Sequence, residues 1–244
     1  TPAAPMKVYV VGDSTGVVFA GGLALYAGQT GKVDVRSGAY RACPMTDVDE
    51  FKWYMLTGLD ELPVESDCFA ARSQWAADFA GWRPDMILVI SGPADVSPGH
   101  PVGAPSDEWL VPTEPAGRRL LEQGITSTSS VLQSLAPGVP QLWLTSPYIL
   151  REQEVRGVAY DPDGPQVPAY TDVYNQILTQ LSATHPLVAA VPWADYFNAK
   201  PISADSDERP DGVHIPPERV AQILAEWFPK LAATRASLLA PPRS

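Results

Sequence analysis

Two short stretches near opposite ends of the chain carry residue types suited to nucleophilic chemistry. Gly12-Asp13-Ser14 directly follows an apolar run at 7–11 and directly precedes a helix candidate. A serine at that junction stands at the C-terminal edge of a strand, beside the unpaired N–H groups that open a helix. Such donors favour a developing oxyanion, which makes Ser14 a candidate nucleophile. The same tripeptide also suits an ordinary N-cap. Near the other end stands Asp211-Gly212-Val213-His214. Asp and His three positions apart on one turn can meet. The carboxylate then holds the imidazole tautomer, and the other ring nitrogen is left to take a proton. Alone, that pair equally describes a polar turn. What joins the two stretches is their place: one follows the first strand candidate and the other precedes the last helix.

Those places depend on the elements between them. Strand candidates fall at 7–11, 32–36, 86–90, 141–145 and 187–191, with MILVI at 86–90 the clearest buried run. Helix candidates alternate with them at 17–27, 68–82, 118–135, 170–181 and 216–231. The last has Pro216 at its start. Strand and helix alternating about five times predicts a parallel sheet covered on both faces, an α/β/α sandwich. Loops after the strand C-termini form the crevice in such folds. Stretches 37–65, 92–115, 146–168 and 192–215 read as irregular and are placed to do this. Residues 1–5 read as a tail or linker, 6–235 as a single domain and 236–244 as a C-terminal tail.

Composition narrows the function classes. Seventeen Lys+Arg against 28 Asp+Glu leave a net charge of −11, with no basic block. Phosphate binding needs clustered cations, so a nucleic-acid partner is excluded. The 45% apolar fraction is that of a folded globular chain. Twenty-six prolines, about twice ordinary usage, imply stiff loops. Cys43 and Cys68, the chain's two cysteines, form either one disulfide or two unrelated buried thiols. No His or further Cys stands at ligand spacing, so neither a metal nor another cofactor is expected. Asp95 reads as a loop cap or a substrate contact. His100 and His185 read as structural, the acidic stretch 205–208 as solvated loop, and Trp53 or Trp109 as possible platforms for a sugar ring.

Together the two motifs resemble the first and last signature blocks of the SGNH (GDSL-like) hydrolase superfamily, over residues 6 to about 230. The resemblance implies a flavodoxin-like three-layer sandwich, with Ser14 as nucleophile, His214 as base and Asp211 as orienter. It also implies an oxyanion donor at Gly38, in Arg36-Ser37-Gly38-Ala39. The third block departs from the pattern. The family has Gly-x-Asn-Asp there, whereas this chain reads Ser91-Gly92-Pro93-Ala94-Asp95, with Ala94 in place of Asn. Neither Asn175 nor Asn198 fits that position. A donor of this kind is worth about 10²–10³ in rate, so either the Ser91 hydroxyl or a backbone N–H such as Gly92 replaces it, or the enzyme is slow.

That departure, with Gly38-Ala39…Cys43 and the second Cys68, is similar to the exported SGNH domains attached to acyltransferase-3 type membrane proteins. The likeness implies a Cys43–Cys68 disulfide and an extracytoplasmic place on a bacterial envelope. It also implies a covalently linked membrane acyltransferase domain, an acyl ester or acyl donor, and a glycan acceptor. O-acyl transfer to an envelope glycan or glycolipid is then the expected function. The alternatives are a secreted carboxylesterase or deacetylase, and a non-catalytic glycan-binding module.

Overall fold

The structure is a computed structural model of the 244-residue chain. It describes residues 4–41, 43–45, 53–57, 60–63, 68, 70–96, 99–101, 110–149, 168–200 and 207–241, with the backbone alone at 53–57, 60–63, 93 and 99–101. Trp109, the side chains of Trp53 and His100, and residues 205–206 of the acidic stretch therefore lie outside the description.

Five strands form the central sheet: β1 (Met6–Gly12), β2 (Val33–Ser37), β5 (Met86–Ile90), β7 (Gln141–Leu144) and β8 (Val188–Val191). Their order is β2-β1-β5-β7-β8, and every pairing is parallel. The chain steps one way from β1 to β2 and then crosses back to β5. The order therefore reverses between β1 and β5, and a crevice opens at that switch point. The helices are α1 (Ser14–Thr30), α2 (Ala71–Gly81), α3 (Pro93–Val96), α4 (Pro115–Leu135), α5 (Pro168–Thr184), α6 (Trp193–Asn198) and α7 (Pro217–Leu239).

Strand chemistry explains the three layers. Alternate side chains of a strand leave on opposite faces, and both sets here are apolar. Val8, Val10, Met86, Leu88, Leu142 and Leu144 pack under α1 and α7 with Phe19, Leu23 and Leu224. Tyr9, Val11, Ile87, Val89 and Trp143 pack the other way, against Trp75 of α2, Ile125 of α4 and Ile177 of α5. Leu88 is fully buried, so Leu88→Ala would cost about 2–5 kcal/mol. Helices α1 and α7 approach closely because Gly22 faces Val220, where a Cβ would come within 2.4 Å of the valine Cβ.

All five expected strands and all five expected helices are present, with shifted ends. Helix α1 begins at Ser14 rather than 17, which puts the serine inside its first turn. Helix α7 runs to Leu239, past the expected end at 231 and into the stretch read as a tail. Its Ala-rich final turns favour helix, and Pro229 is accommodated within it.

The expectation of irregular chain at 37–65 and 92–115 is corrected in part. β3 (Trp53–Thr57), β4 (Asp60–Pro63) and β6 (Gly99–Pro101) form a small antiparallel sheet in the order β4-β3-β6. β6 has three residues and gains its ladder from a partner far away in sequence, so no local periodicity announces it. Similarly, α6 falls within 192–215, where too few turns exist to show a helical period.

Cys43 and Cys68 are disulfide-bonded, with Cα atoms 5.4 Å apart. The bridge is buried and packs against Tyr40, Leu110 and Leu120. It ties the segment after β2 to the approach to α2.

Candidate active site

The site begins where β1 turns into α1. Gly12 has a φ of +155°, and a Cβ there would fall 1.7 Å from the Ile90 carbonyl oxygen. Only glycine lets the turn pass so close to β5. Asp13 caps α1, its Oδ1 accepting the Thr15 N–H at 2.8 Å and the Thr15 hydroxyl at 2.6 Å. Its Oδ2 accepts the N–H groups of Gly92 at 2.8 Å and Ala94 at 3.2 Å. The carboxylate is buried and has several donors, so it is satisfied where it sits. Ser14 is the first helical residue, and its own N–H has no intrahelical acceptor.

The second half comes from the turn before α7. His214 Nε2 lies 2.8 Å from Ser14 Oγ, joining residues 200 positions apart. His214 Nδ1 lies 2.6 Å from Asp211 Oδ2. Asp211 Oδ1 accepts the N–H of Val213 at 2.9 Å and of His214 at 2.7 Å. Burial pushes the Asp211 carboxyl up. The His214 N–H, the imidazole and the Val213 N–H outweigh it, so the group is held below its ordinary value. Gly212, at φ +80°, takes the left-handed conformation that lets the turn close. With Nδ1 against a carboxylate, Nε2 is free to accept the serine proton. The arrangement can therefore raise a serine nucleophile beside the N-terminus of α1, where an oxyanion is favoured.

The other expected contributors have hydrogen-bond partners within the protein. The N–H of Gly38, the expected oxyanion donor, donates to the Val10 carbonyl at 2.8 Å. Packing explains this glycine: a Cβ would meet the Tyr9 hydroxyl at 2.3 Å and the Trp75 ring at 2.5 Å. The Gly92 N–H is engaged by Asp13. The Ser91 hydroxyl donates to Asp95 Oδ2, which also accepts the Met45 N–H at 2.9 Å. Ser91 and Asp95 thus form a buried hydrogen-bonded pair. Beside them Tyr174 is fully buried. Burial first, then Asp95 and Asp13, hold its hydroxyl well above the ordinary phenol range. Among the described residues, no group of three or more His, Cys, Asp or Glu is placed to hold a metal ion.

Several site residues gave no sequence signal. Glu208, expected in solvated loop, is clamped between Lys200 Nζ at 2.6 Å and the Arg219 guanidinium. Burial raises its carboxyl, but Lys200 and then Arg219 bring it below its ordinary value. This anchors the turn carrying Asp211 and His214 to α7. Arg209 is buried, donates from Nη1 to the Tyr148 carbonyl at 2.7 Å and stacks over Phe197 at 5.3 Å. Asn175 grips Ser146 through both N–H and C=O, at 2.8 and 2.9 Å, and Asn198 accepts the Tyr148 N–H at 3.1 Å. Both asparagines therefore pin the segment after β7. A cavity beside the serine turn is bounded by α1, the ends of β5 and β7, this pinned segment, Trp193 and the Arg209–Ile215 turn.

No protein-family model matches the sequence, and no curated protein sequence matches it. Solved structures do match its fold. A GDSL-like lipase from Parabacteroides merdae superposes with a TM-score of 0.56 at 13% identity, over 93% of this chain and 96% of that one. The periplasmic domain of a lipopolysaccharide acetyltransferase from Salmonella ser. Paratyphi A gives 0.51 at 8% identity, over 93% and 84%. A family two carbohydrate esterase from Clostridium thermocellum gives 0.51 at 12% identity, over 95% of this chain and 66% of that one. At such identities the likeness concerns architecture. With its flavodoxin-like strand order and helices on both faces, the chain has the fold of the SGNH (GDSL-like) hydrolase superfamily.

Proposed function

We propose that residues 6–235 form one extracytoplasmic domain that carries out serine-dependent acyl-ester chemistry on carbohydrate, by O-acyl transfer to a cell-envelope glycan or glycolipid. The observation that carries this reading is the continuous hydrogen-bonded line Ser14–His214–Asp211 at the switch-point edge of the sheet. Ser14 Oγ attacks the acyl carbonyl while His214 Nε2 takes the hydroxyl proton. The oxyanion is met by the Ser14 N–H at the head of α1. When the intermediate collapses, His214 returns its proton to the departing oxygen, leaving the acyl group on Ser14. An acceptor hydroxyl then attacks, again losing its proton to His214, and as the acyl–Oγ bond breaks His214 returns that proton to Ser14 Oγ. No cofactor is needed for these steps.

Two observations support transfer outside the cytoplasm. One is the buried Cys43–Cys68 bridge, which is at home in an oxidising compartment. The other is the likeness to an acetyltransferase periplasmic domain over 84% of its length. Among the described residues no helix is long and apolar enough to cross a membrane. A linked membrane acyltransferase domain would be the partner that supplies acyl groups. The net charge of −11 makes nucleic acid an unsuitable partner. Hydrolysis by a secreted carboxylesterase or deacetylase is the second reading. The part-exposed His214 and Asp211 side chains favour it by giving water access to the base. A glycan-binding module without catalysis would need none of the three aligned groups.

A fluorophosphonate probe tests the chemistry. Wild type should carry a single adduct on Ser14 by mass spectrometry, and Ser14→Ala should carry none. An unlabelled Ser14 would sink the reading. Incubation with an acyl donor and a glycan acceptor should then give acylated glycan; free acid as the sole product would assign hydrolysis instead.

A further inference from the structure

We infer that the cavity beside Ser14 is an acyl-chain slot, selecting an aliphatic acyl group of about four to six carbons over acetyl. The inference rests on the serine reading above. Neighbours of both reactive groups line the cavity: Thr15 follows Ser14, and Val213 and Ile215 flank His214. From there it runs along α1 past Val18 and Phe19 toward Leu144 and Trp193. Val18 is four residues beyond Ser14, which is about 6 Å along a helix. An acetyl group on Ser14 is too short to span that rise, whereas a chain of four to six carbons is long enough.

The polar side chains around the cavity have partners within the protein. Thr15 donates to Asp13 and Ser91 to Asp95. Thr145 donates to the Val191 carbonyl at 3.1 Å and accepts the Ala194 N–H at 3.0 Å. Ser146 donates to the Pro147 carbonyl at 3.3 Å, and Arg209 donates to Tyr148. What faces the chain is therefore mainly hydrocarbon. Pro147 and Ile149 close one side, on the segment pinned by Asn175 and Asn198, so that wall is held in place rather than left to collapse.

Each buried methylene is worth about fourfold in binding. Across p-nitrophenyl esters, wild-type kcat/KM should rise at least about tenfold from acetyl to butanoyl or hexanoyl. Val18→Trp should fill the slot and cut the hexanoyl-to-acetyl ratio by about tenfold or more. If its melting shows that it does not fold, Val18→Met carries the same test with a smaller change. A small ethyl fluorophosphonate, labelling Ser14 in each protein, reads the chemistry independently of chain length. Labelled protein with a flat or acetyl-preferring profile overturns the slot and leaves the serine reading standing. So does an unchanged ratio in the folded Val18 variant. A preference for half-esters ending in a carboxylate also overturns it, and would assign Arg209 to the ligand. Failure of Ser14 to label removes both.

Discussion

The carboxylate of Asp13 accepts the Gly92 N–H at 2.8 Å across 79 positions of sequence. That contact ties the serine turn after β1 to the turn after β5. It also engages the Gly92 N–H, an oxyanion donor expected from the sequence. Asp13 thereby trades a possible oxyanion contact for rigidity at the switch point.

Asp13→Ala should destabilise the protein and impair its chemistry together. The Gly92 and Ala94 N–H groups, both on buried residues, would lose their acceptor. Each orphaned donor costs about 1–3 kcal/mol. Denaturant unfolding should show a loss of about 2–5 kcal/mol, with slower fluorophosphonate labelling of Ser14. A loss below 1 kcal/mol would show that the brace contributes little.

Ala94 stands where the SGNH pattern that the sequence resembles has asparagine. Its N–H lies 3.2 Å from Asp13 Oδ2, which places the residue at the edge of the serine turn. Ala94→Asn should restore an amide donor and raise kcat/KM about 10–100-fold. An unchanged rate would mean that the oxyanion is already fully served, or lies out of reach of residue 94.

Acid should loosen the turn that carries His214. The Glu208 carboxyl is held below its ordinary value by Lys200 and Arg219 against the opposing effect of burial. A depressed folded value gives stability that is present above the unfolded carboxylate range, about pH 4.3. That stability is lost as pH falls through the lower folded value. Glu208→Gln should therefore melt below wild type at pH 7, and the two curves should converge at the acid end. A constant gap at every pH would assign Glu208 to packing alone.

The disulfide spans 25 positions, so opening it should cost about 3 kcal/mol. Unfolding with and without reductant measures this, with Cys43→Ser/Cys68→Ser as the control. The double variant should match reduced wild type and stay insensitive to reductant. A midpoint that does not move on reduction would contradict the estimate.

Much of this was legible in the chain itself. Local runs such as 86–90 report burial on both faces by being apolar throughout, and alternation of strand with helix implies the layers. Ser14, Asp211 and His214 stood out because strand ends and helix starts are written locally. The three-residue β6 was not, because its pairing is non-local. Glu208 looked like part of an acidic loop, since its two cations come from α7 and from the end of α6.

The sequence by itself determined the α/β/α layering and named the serine, aspartate and histidine. Hydrophobic period and helix capping act over a few residues, and both are readable one segment at a time. Only the tertiary structure decided that Ser14 and His214 stand 2.8 Å apart, and that the Gly38 and Gly92 N–H groups are already engaged. Whether a donor is free depends on which carbonyl or carboxylate folding brings beside it. That depends on sheet register and on crossovers between segments distant in the chain.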